Sequence, residues 1–128
     1  GDPAHEAAHQ LAHTVHLDHV QHMLVGELAY GQQRQLEIGL ALAGAPRFIL
    51  LDEPAAGLSS SERRELIQIL RALPAHIGYA IIEHDLDVAL RVAETVTVMN
   101  DGHIFKEGTP DEIESDPDVQ RIYLGSRR

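Results

Sequence analysis

The segment from Phe48 to Leu51 contains no polar residue and ends directly at the sequence Asp-Glu-Pro. Uninterrupted apolar character over this length predicts a strand that is buried on both faces of a parallel sheet. Two later segments, Gly78 to Ile82 and Thr95 to Met99, also have strand character, and helical patterns separate the three segments. Because strands that alternate with helices pair in parallel, the sequence predicts an α/β fold with a mainly parallel sheet and flanking helices.

The helices are predicted from the spacing of apolar residues and from the residues that flank them. Leu36, Leu40 and Ala43 recur at intervals that put them on one face of a helix from Gln32 to Ala43. Further helices are predicted over residues 3–15, from 59 to about 73, from 85 to about 93 with Asp85 as its cap, and after residues 109 and 116.

Two capping patterns and one turn refine these predictions. Ser59 and Glu62 have the spacing of a capping box, in which a hydroxyl and a carboxylate each bind a free amide at a helix start. Thr109 and Glu112 repeat this pattern. The dipeptide at residues 101–102 is Asp-Gly, a hairpin turn signal, so residues 103–106 are expected to fold back on the third strand as a C-terminal β-hairpin.

Composition argues against several classes of function. Twenty acidic residues against ten Lys and Arg give a net charge of -10, which repels phosphate backbones and anionic lipids, so we expect no nucleic acid partner. Cysteine is absent, which removes disulfides and thiolate metal sites. The longest apolar stretch, Ile38 to Pro46, falls short of the roughly 20 residues that a membrane helix needs, so we expect no direct membrane insertion. No secretory signal is visible, and we expect a cytoplasmic protein.

Titratable groups follow two of the predicted strands, at the sheet edge where ligands of open α/β folds gather. Asp52 and Glu53 are adjacent carboxylates after the first strand. Such a pair suits a magnesium nucleotide site, where one carboxylate holds the metal through water and the other orients or deprotonates an attacking water. The alternative is that they only terminate the strand. His84 follows the second strand, where it could reach a phosphate oxygen or have a structural role.

Gly31 stands at the start of the predicted helix that contains Leu36. A glycine there lets backbone amides approach a phosphate, and the helix dipole adds partial positive charge. Taken alone this is a weak signal, because most glycines before helices only form turns.

Four segments of the chain, taken together in their order and spacing, resemble the motifs of a known family. The segments are Leu28 to Gln32, Phe48 to Pro54, Ala56 to Ser59, and Ile82 to Asp85. They resemble, in that order, the signature motif, the Walker B strand with its catalytic glutamate, the D-loop and the switch histidine of ABC transporter ATPases. The resemblance runs from about residue 4 to residue 125. Within the family, the chain looks most similar to the ATP-binding subunit of branched-chain amino acid importers.

The resemblance implies a role for each matching residue. Glu53 would be the general base, Asp52 would hold Mg²⁺ through water, and His84 would sense the terminal phosphate of ATP. ATP and Mg²⁺ are the implied cofactors. The segments that would contact nucleotide across a dimer interface contain Leu28, Ala29, Tyr30, Gly31, Gln32 and Ser59.

The resemblance also implies two kinds of partner. One is a second ATPase subunit in a head-to-tail dimer, in which each ATP lies between the P-loop of one subunit and the signature motif of the other. The other is a set of transmembrane permease subunits. These would hold the protein peripherally at the inner face of the plasma membrane.

The chain departs from the family pattern in two motifs. Ala29 and Tyr30 replace the usual Ser and Gly of the signature motif, so no serine hydroxyl can contact the terminal phosphate there. Contact would then rest on Gly31, Gln32 and backbone amides. Ser59 stands where the D-loop usually ends in Asp, and its predicted role is to cap the following helix.

No P-loop sequence occurs in the 128 residues, because the two Gly pairs with the right spacing are not followed by Lys. A P-loop wraps the phosphates with its amides and its Lys. We therefore expect the chain to be the C-terminal half of an ABC ATPase domain and inactive alone. Residues 1–45 would be part of the helical signature-motif subdomain, and residues 46–128 the C-terminal part of the RecA-like α/β core.

Two other functions stay open at this point: the ATPase subunit of another ABC system, such as a urea importer or a lipopolysaccharide exporter, or a non-catalytic half-domain that only binds partners. A stripe of histidines near the N-terminus adds a further question. On one helix face such residues can chelate zinc or nickel, but a solvated polar face is the favoured interpretation. The stripe contains His5, His9, His13, His16, His19 and His22.

Overall fold

A computed structural model describes residues 2–124 and confirms the α/β class, with both parallel and antiparallel strand pairs. Gly125, where the resemblance ends, lies outside the described residues. The helices are α1 (Pro3–Thr14), α2 (Tyr30–Ala43), α3 (Ser60–Arg71), α4 (Leu86–Val92), α5 (Pro110–Ser115) and α6 (Pro117–Val119). The strands are β1 (Phe48–Asp52), β2 (Gly78–Ile82), β3 (Val96–Asn100) and β4 (His103–Gly108). Short 3-10 turns cover Asp18–Val20 and Val25–Glu27, and a π-helical turn covers Gln120–Leu124.

The chain forms two compact units, which divide between Ile82 and Glu83. The first unit contains α1, α2, β1, α3 and β2, and the second contains α4, β3, β4, α5 and α6. The predicted division after residue 45 concerns a complete ATPase domain and stays a prediction.

The parallel pair β1–β2 forms the sheet of the first unit, in register from Phe48 opposite Gly78 to Asp52 opposite Ile82. The prediction that these strands are buried on both faces is wrong. Ile49 is only 5% exposed, but the next residue, Leu50, is 78% exposed. Side chains of a strand alternate between its two faces, and in the described part of the chain only one face of this sheet is packed.

Helix α2 packs against α1 with a different face from the predicted one. Leu40, expected in the core, is exposed, whereas Ile38 and Leu42 are buried. Gly39 explains why this face of α2 is the buried one, because a Cβ placed there would lie 3.3 Å from a methyl carbon of Val15 at the end of α1. Gly39 therefore lets the two helices approach closely, and a search for large apolar residues does not detect this effect.

Helix α3 supplies much of the core of the first unit. Ser59 caps it as predicted: its hydroxyl accepts a hydrogen bond from the Glu62 amide, and the Glu62 carboxylate accepts one from the Ser59 amide. The helix ends at Arg71, two residues before the predicted end. Its fully or almost fully buried side chains are Leu66, Ile67, Ile69 and Leu70.

The second unit is built on the antiparallel hairpin β3–β4. The hairpin was predicted from Asp101 and Gly102, and both have positive φ (50° and 76°), as a tight primed turn requires. The expectation that the third strand joins the parallel sheet is wrong, since β3 forms a two-stranded sheet with β4. The core of the second unit consists of Val96, Val98, Ile113 and Val119. Packed against this core are Leu86, Leu90, Ala93, Phe105 and Tyr123.

The histidine stripe is not a continuous helical face. Helix α1 ends at Thr14, so of the six histidines only His5, His9 and His13 lie on it, and all three are exposed. Among residues 2–124, no group of three or more His, Asp or Glu side chains is arranged to hold a metal ion. In the same residues, we find no helix with the length and apolarity that crossing a membrane demands.

Candidate functional site

The carboxyl end of β1 holds the two predicted carboxylates. Asp52 is the last residue of the strand and is exposed. Glu53 has φ of 47°, the left-handed region that residues other than glycine rarely adopt. Its amide donates a hydrogen bond of 2.6 Å to the Ile82 carbonyl, so the link to β2 continues past the end of β1. Such a backbone persists only where its surroundings impose it, and these positions cluster at functional sites.

The loop of residues 53–59, which connects β1 to α3, is held by its own hydrogen bonds. The Ala56 amide donates to the Glu53 carbonyl (3.1 Å), and the Leu58 amide donates to the Ala55 carbonyl (3.2 Å). Ala55 and Leu58 are buried, and the loop ends at the helix cap formed by Ser59. This fixes the position of the predicted D-loop relative to β1.

The start of α2 contains the predicted signature segment. The Ala29 amide donates to the Gln32 side-chain oxygen (2.9 Å), so the Gln32 amide group acts as a local helix cap. The Leu28 carbonyl accepts a hydrogen bond of 3.3 Å from the Gln33 side chain. Ala29 offers no side-chain acceptor for the free amides of the first turn. The side chains of Gln32 and Gln33 thus hold the segment in place. In the usual form of the motif, a serine side chain at position 29 could contribute to this.

Tyr30 connects the start of α2 to the 53–59 loop. A Cβ placed at Gly57 would lie 3.1 Å from the Tyr30 ring, and Gly57 itself has φ of 76°. The Arg34 guanidinium carbon lies 5.3 Å from the centre of the Tyr30 ring, in the range of a cation–π contact. A cavity of about 250 Å³ lies beside this contact, and its charged lining residues are Arg34, Glu37 and Asp52. Arg34, which contacts Tyr30, and Asp52 at the end of β1 therefore border one concave surface.

Gly31 and Ser59 are joined through Glu62, for which the sequence predicts only a helix-capping role. The Gly31 amide donates a hydrogen bond of 2.7 Å to one oxygen of Glu62, and the Ser59 amide donates one of 2.9 Å to the other. The Ser59 amide and hydroxyl and the Gly31 amide lower the pKa of Glu62, and burial opposes the shift. The capping-box spacing predicts the contact between Glu62 and Ser59, but no local sequence pattern predicts the contact between Glu62 and Gly31.

His84 belongs to the second unit. Its side chain is 71% exposed, and its Nδ1 lies 4.0 Å from the carboxylate of Glu83, whose side chain is only 1% exposed. Glu83 also accepts a hydrogen bond of 3.2 Å from the Asp85 amide. Asp85 caps α4 as predicted, by accepting a hydrogen bond of 3.3 Å from the Val88 amide. The exposed imidazole therefore directly precedes the capped start of α4.

Comparison with family models gives two matches. A model described as ABC transporter matches residues 3–56, which contain the start of α2 and the end of β1. A model described as branched-chain amino acid ATP-binding cassette transporter matches residues 107–128. The chain belongs to the ABC transporter family of ATP-binding domains. The family resemblance is thereby confirmed, and the roles of the individual site residues stay predictions.

Curated relatives and solved structures agree with this family. The chain is 39% identical over 121 residues to the high-affinity branched-chain amino acid transport ATP-binding protein BraF of Pseudomonas aeruginosa, covering 93% of the chain and 47% of the relative. It is 37% identical over 123 residues to the lipopolysaccharide export system ATP-binding protein LptB of Escherichia coli, covering 94% and 50%. An ATP-binding cassette of an ABC transporter in its ADP conformation superposes with a TM-score of 0.82 at 33% identity, covering 98% of the chain and 51% of that structure. The chain spans about half the length of these proteins.

Proposed function

We propose that the chain is part of the ATP-hydrolysing subunit of an importer of branched-chain or other amino acids. The observation that carries the proposal is the end of β1, where Glu53 is held in an unfavourable backbone conformation directly after Asp52. The names of similar proteins support the transported substrate. BraF is a branched-chain amino acid transport ATP-binding protein, and so is LivG of Escherichia coli, to which the chain is 42% identical over 100 residues (77% of the chain and 39% of LivG). The match of residues 107–128 to the branched-chain family model adds a second, separate segment of the chain.

The residues at the end of β1 fit a magnesium nucleotide. Asp52 is an exposed carboxylate, and Mg²⁺ is usually held in such sites by one or two carboxylates together with phosphates and water. When bound, the metal would neutralise charge on the phosphates. Glu53 would act as the general base, because a carboxylate beside the attacking water can orient it and take its proton.

The remaining predicted residues would contact nucleotide from other directions. His84 would sense the terminal phosphate, for which its exposed ring is suited. The signature segment with Gly31 and Gln32, and the D-loop with Ser59, would face the nucleotide of a second subunit in a head-to-tail dimer. Permease subunits would keep the assembly at the inner face of the plasma membrane.

The exposed face of the β1–β2 sheet also fits this proposal. Phe48, Leu50 and Ile82 are large apolar side chains on this sheet, and all three are exposed. A P-loop half-domain would cover them and supply the phosphate-binding amides and Lys that the 128 residues do not contain. The chain alone should therefore bind ATP weakly and should not hydrolyse it.

The test compares Mg-ATP binding and hydrolysis by the chain alone with a chimaera in which a P-loop half-domain of a complete ABC ATPase precedes residue 1. Only the chimaera should hydrolyse ATP, and Glu53→Gln should abolish its turnover while leaving ATP binding intact. Glu94→Gln, which removes an exposed carboxylate between α4 and β3, is the matched control and should retain turnover. Hydrolysis by the chain alone, or by the Glu53→Gln chimaera at the normal rate, would overturn the proposal.

The match to LptB supports lipopolysaccharide export as a second candidate function. Complementation separates the two candidates. If the chain belongs to an amino acid transport subunit, the P-loop chimaera should restore branched-chain amino acid uptake to Escherichia coli cells that lack LivG. Restoration of lipopolysaccharide export in cells depleted of LptB, without recovery of amino acid uptake, would favour the second candidate.

A further inference from the structure

The two oxygens of the Glu62 carboxylate bind two different loops. One accepts the Ser59 amide at 2.9 Å, at the end of the 53–59 loop, and the other accepts the Gly31 amide at 2.7 Å, at the start of α2. Both amides belong to the first turn or cap of a helix, where backbone donors have no partner within the helix. One side chain thus satisfies a free donor at the starts of both α2 and α3.

The absence of a side chain at residue 31 makes this contact possible. A Cβ placed on Gly31 would overlap the Glu62 carboxylate. The helix dipoles of α2 and α3 both favour a negative charge at this point. Tyr30 reinforces the connection, because its ring lies against Gly57 of the same loop.

We propose that Glu62 is a positioning residue that couples the signature segment to the D-loop, so that displacement of one frees the other. The inference rests on the proposed function, in which both segments face the nucleotide of the partner subunit. A ligand that draws the Gly31 amide away from Glu62 would leave the Ser59 amide with a carboxylate that is free to turn. Nucleotide contact at the signature segment would in this way be transmitted to the D-loop.

The charged side chains nearby each contact a group other than Glu62. On α2, Arg34 binds Glu37 at 3.2 Å. On α3, Arg63 donates to the Leu58 carbonyl at 3.2 Å, and Glu65 lies 2.6 Å from the His16 ring nitrogen. The pKa of Glu62 is lowered by the amides and hydroxyl that it binds, so the contact should persist below the usual titration range of glutamate, near 4.5.

The test measures amide hydrogen exchange and ¹H–¹⁵N chemical shifts in the 128-residue chain. A glutamine keeps only one acceptor oxygen, so Glu62→Gln should accelerate exchange at Gly31 or Ser59 by about tenfold or more, as expected for loss of a hydrogen bond to a charged group. Glu112→Gln is the matched control, because Glu112 caps α5 through the Thr109 amide in the same way. It should leave both amides unchanged.

A second pair of variants tests transmission from the other side. Gly31→Ala should push the carboxylate aside and change the exchange rate at Ser59, 28 positions away in sequence. Gly26→Ala, at a position where a Cβ meets no described atom within 4 Å, should not. In the wild type, the Gly31 and Ser59 amide shifts should also follow one common pH midpoint below 4.5.

Different midpoints for the two amides, or an unchanged Ser59 amide in Gly31→Ala, would overturn the coupling. No nucleotide is needed for these measurements. A failed coupling therefore leaves the proposed ATPase function intact, whereas a chimaera without turnover would refute that function and leave these amide data unchanged.

Discussion

Two neighbouring residues of β1 should respond very differently to truncation. Ile49 is 5% exposed and Leu50 is 78% exposed. Ile49→Ala should lower the free energy of unfolding by about 2–5 kcal/mol, because it removes buried methyl groups and leaves a cavity. Burying a whole leucine side chain contributes about 1.5–3 kcal/mol, so the roughly one fifth of Leu50 that is buried should contribute only about 0.3–0.7 kcal/mol. Leu50→Ala should cost no more than that.

Urea denaturation followed by far-UV circular dichroism measures both values. The measurements should be made at two protein concentrations about tenfold apart, since self-association could cover the exposed face at the higher concentration. If Leu50→Ala costs as much as Ile49→Ala at the lower concentration, Leu50 is packed in solution and the one-sided burial of β1 is refuted.

The same substitution should behave differently in the P-loop chimaera. There the second face of the sheet would be covered, and Leu50→Ala should cost about 2–5 kcal/mol, as at other buried leucines. A cost still below about 1 kcal/mol would mean that the P-loop half does not pack on Leu50.

Substitutions at three residues test local features. Glu53→Gly should be more stable than Glu53→Gln by about 1 kcal/mol in urea, because only glycine adopts positive φ without steric cost; equal stability would argue against the left-handed backbone. Thr109→Ala should cost about 1 kcal/mol through loss of the α5 cap, whereas Thr109→Ser should retain most of the stability. The pKa of Asp116 is lowered from its usual 3.8, mainly by the hydrogen bond from the Val119 amide. The ionised Asp116 therefore stabilises the folded state fully above pH 3.8, and this stabilisation is lost as the pH falls through the lower pKa of the folded state. Asp116→Asn should therefore reduce the loss of stability below pH 3.8 in acid titrations, and an unchanged acid limb would contradict this assignment.

The sequence predicted best those features that depend on residues close together in the chain. The caps at Ser59, Asp85 and Thr109 and the turn at residues 101–102 are all present, because each is determined within a few residues. The position of Asp52 and Glu53 at the end of a strand follows from the same local pattern.

Features that depend on distant packing were predicted less well. The buried face of α2 was missed because it is set by the approach of Val15 to Gly39, and small residues do not register in an apolar pattern. The Gly31–Glu62 contact joins residues 31 positions apart, and the capping box already gave Glu62 a sufficient local role. When a local pattern already accounts for a residue, as the capping box does for Glu62, the sequence does not reveal a second contact with a distant residue.

The failed prediction for β1 carries information of its own. A strand with one solvated face normally alternates apolar and polar residues, because a polar residue on the wet face lowers the cost of hydration and the risk of association. Phe48 and Leu50 break that rule, and Ile82 on β2 adds to the same exposed apolar surface. The pattern thus suits a sheet covered on both faces, while the described residues 2–124 cover one. This mismatch is what a half-domain would leave, and the Leu50→Ala cost in the chimaera therefore tests whether a P-loop half-domain covers this face, as the proposed function requires.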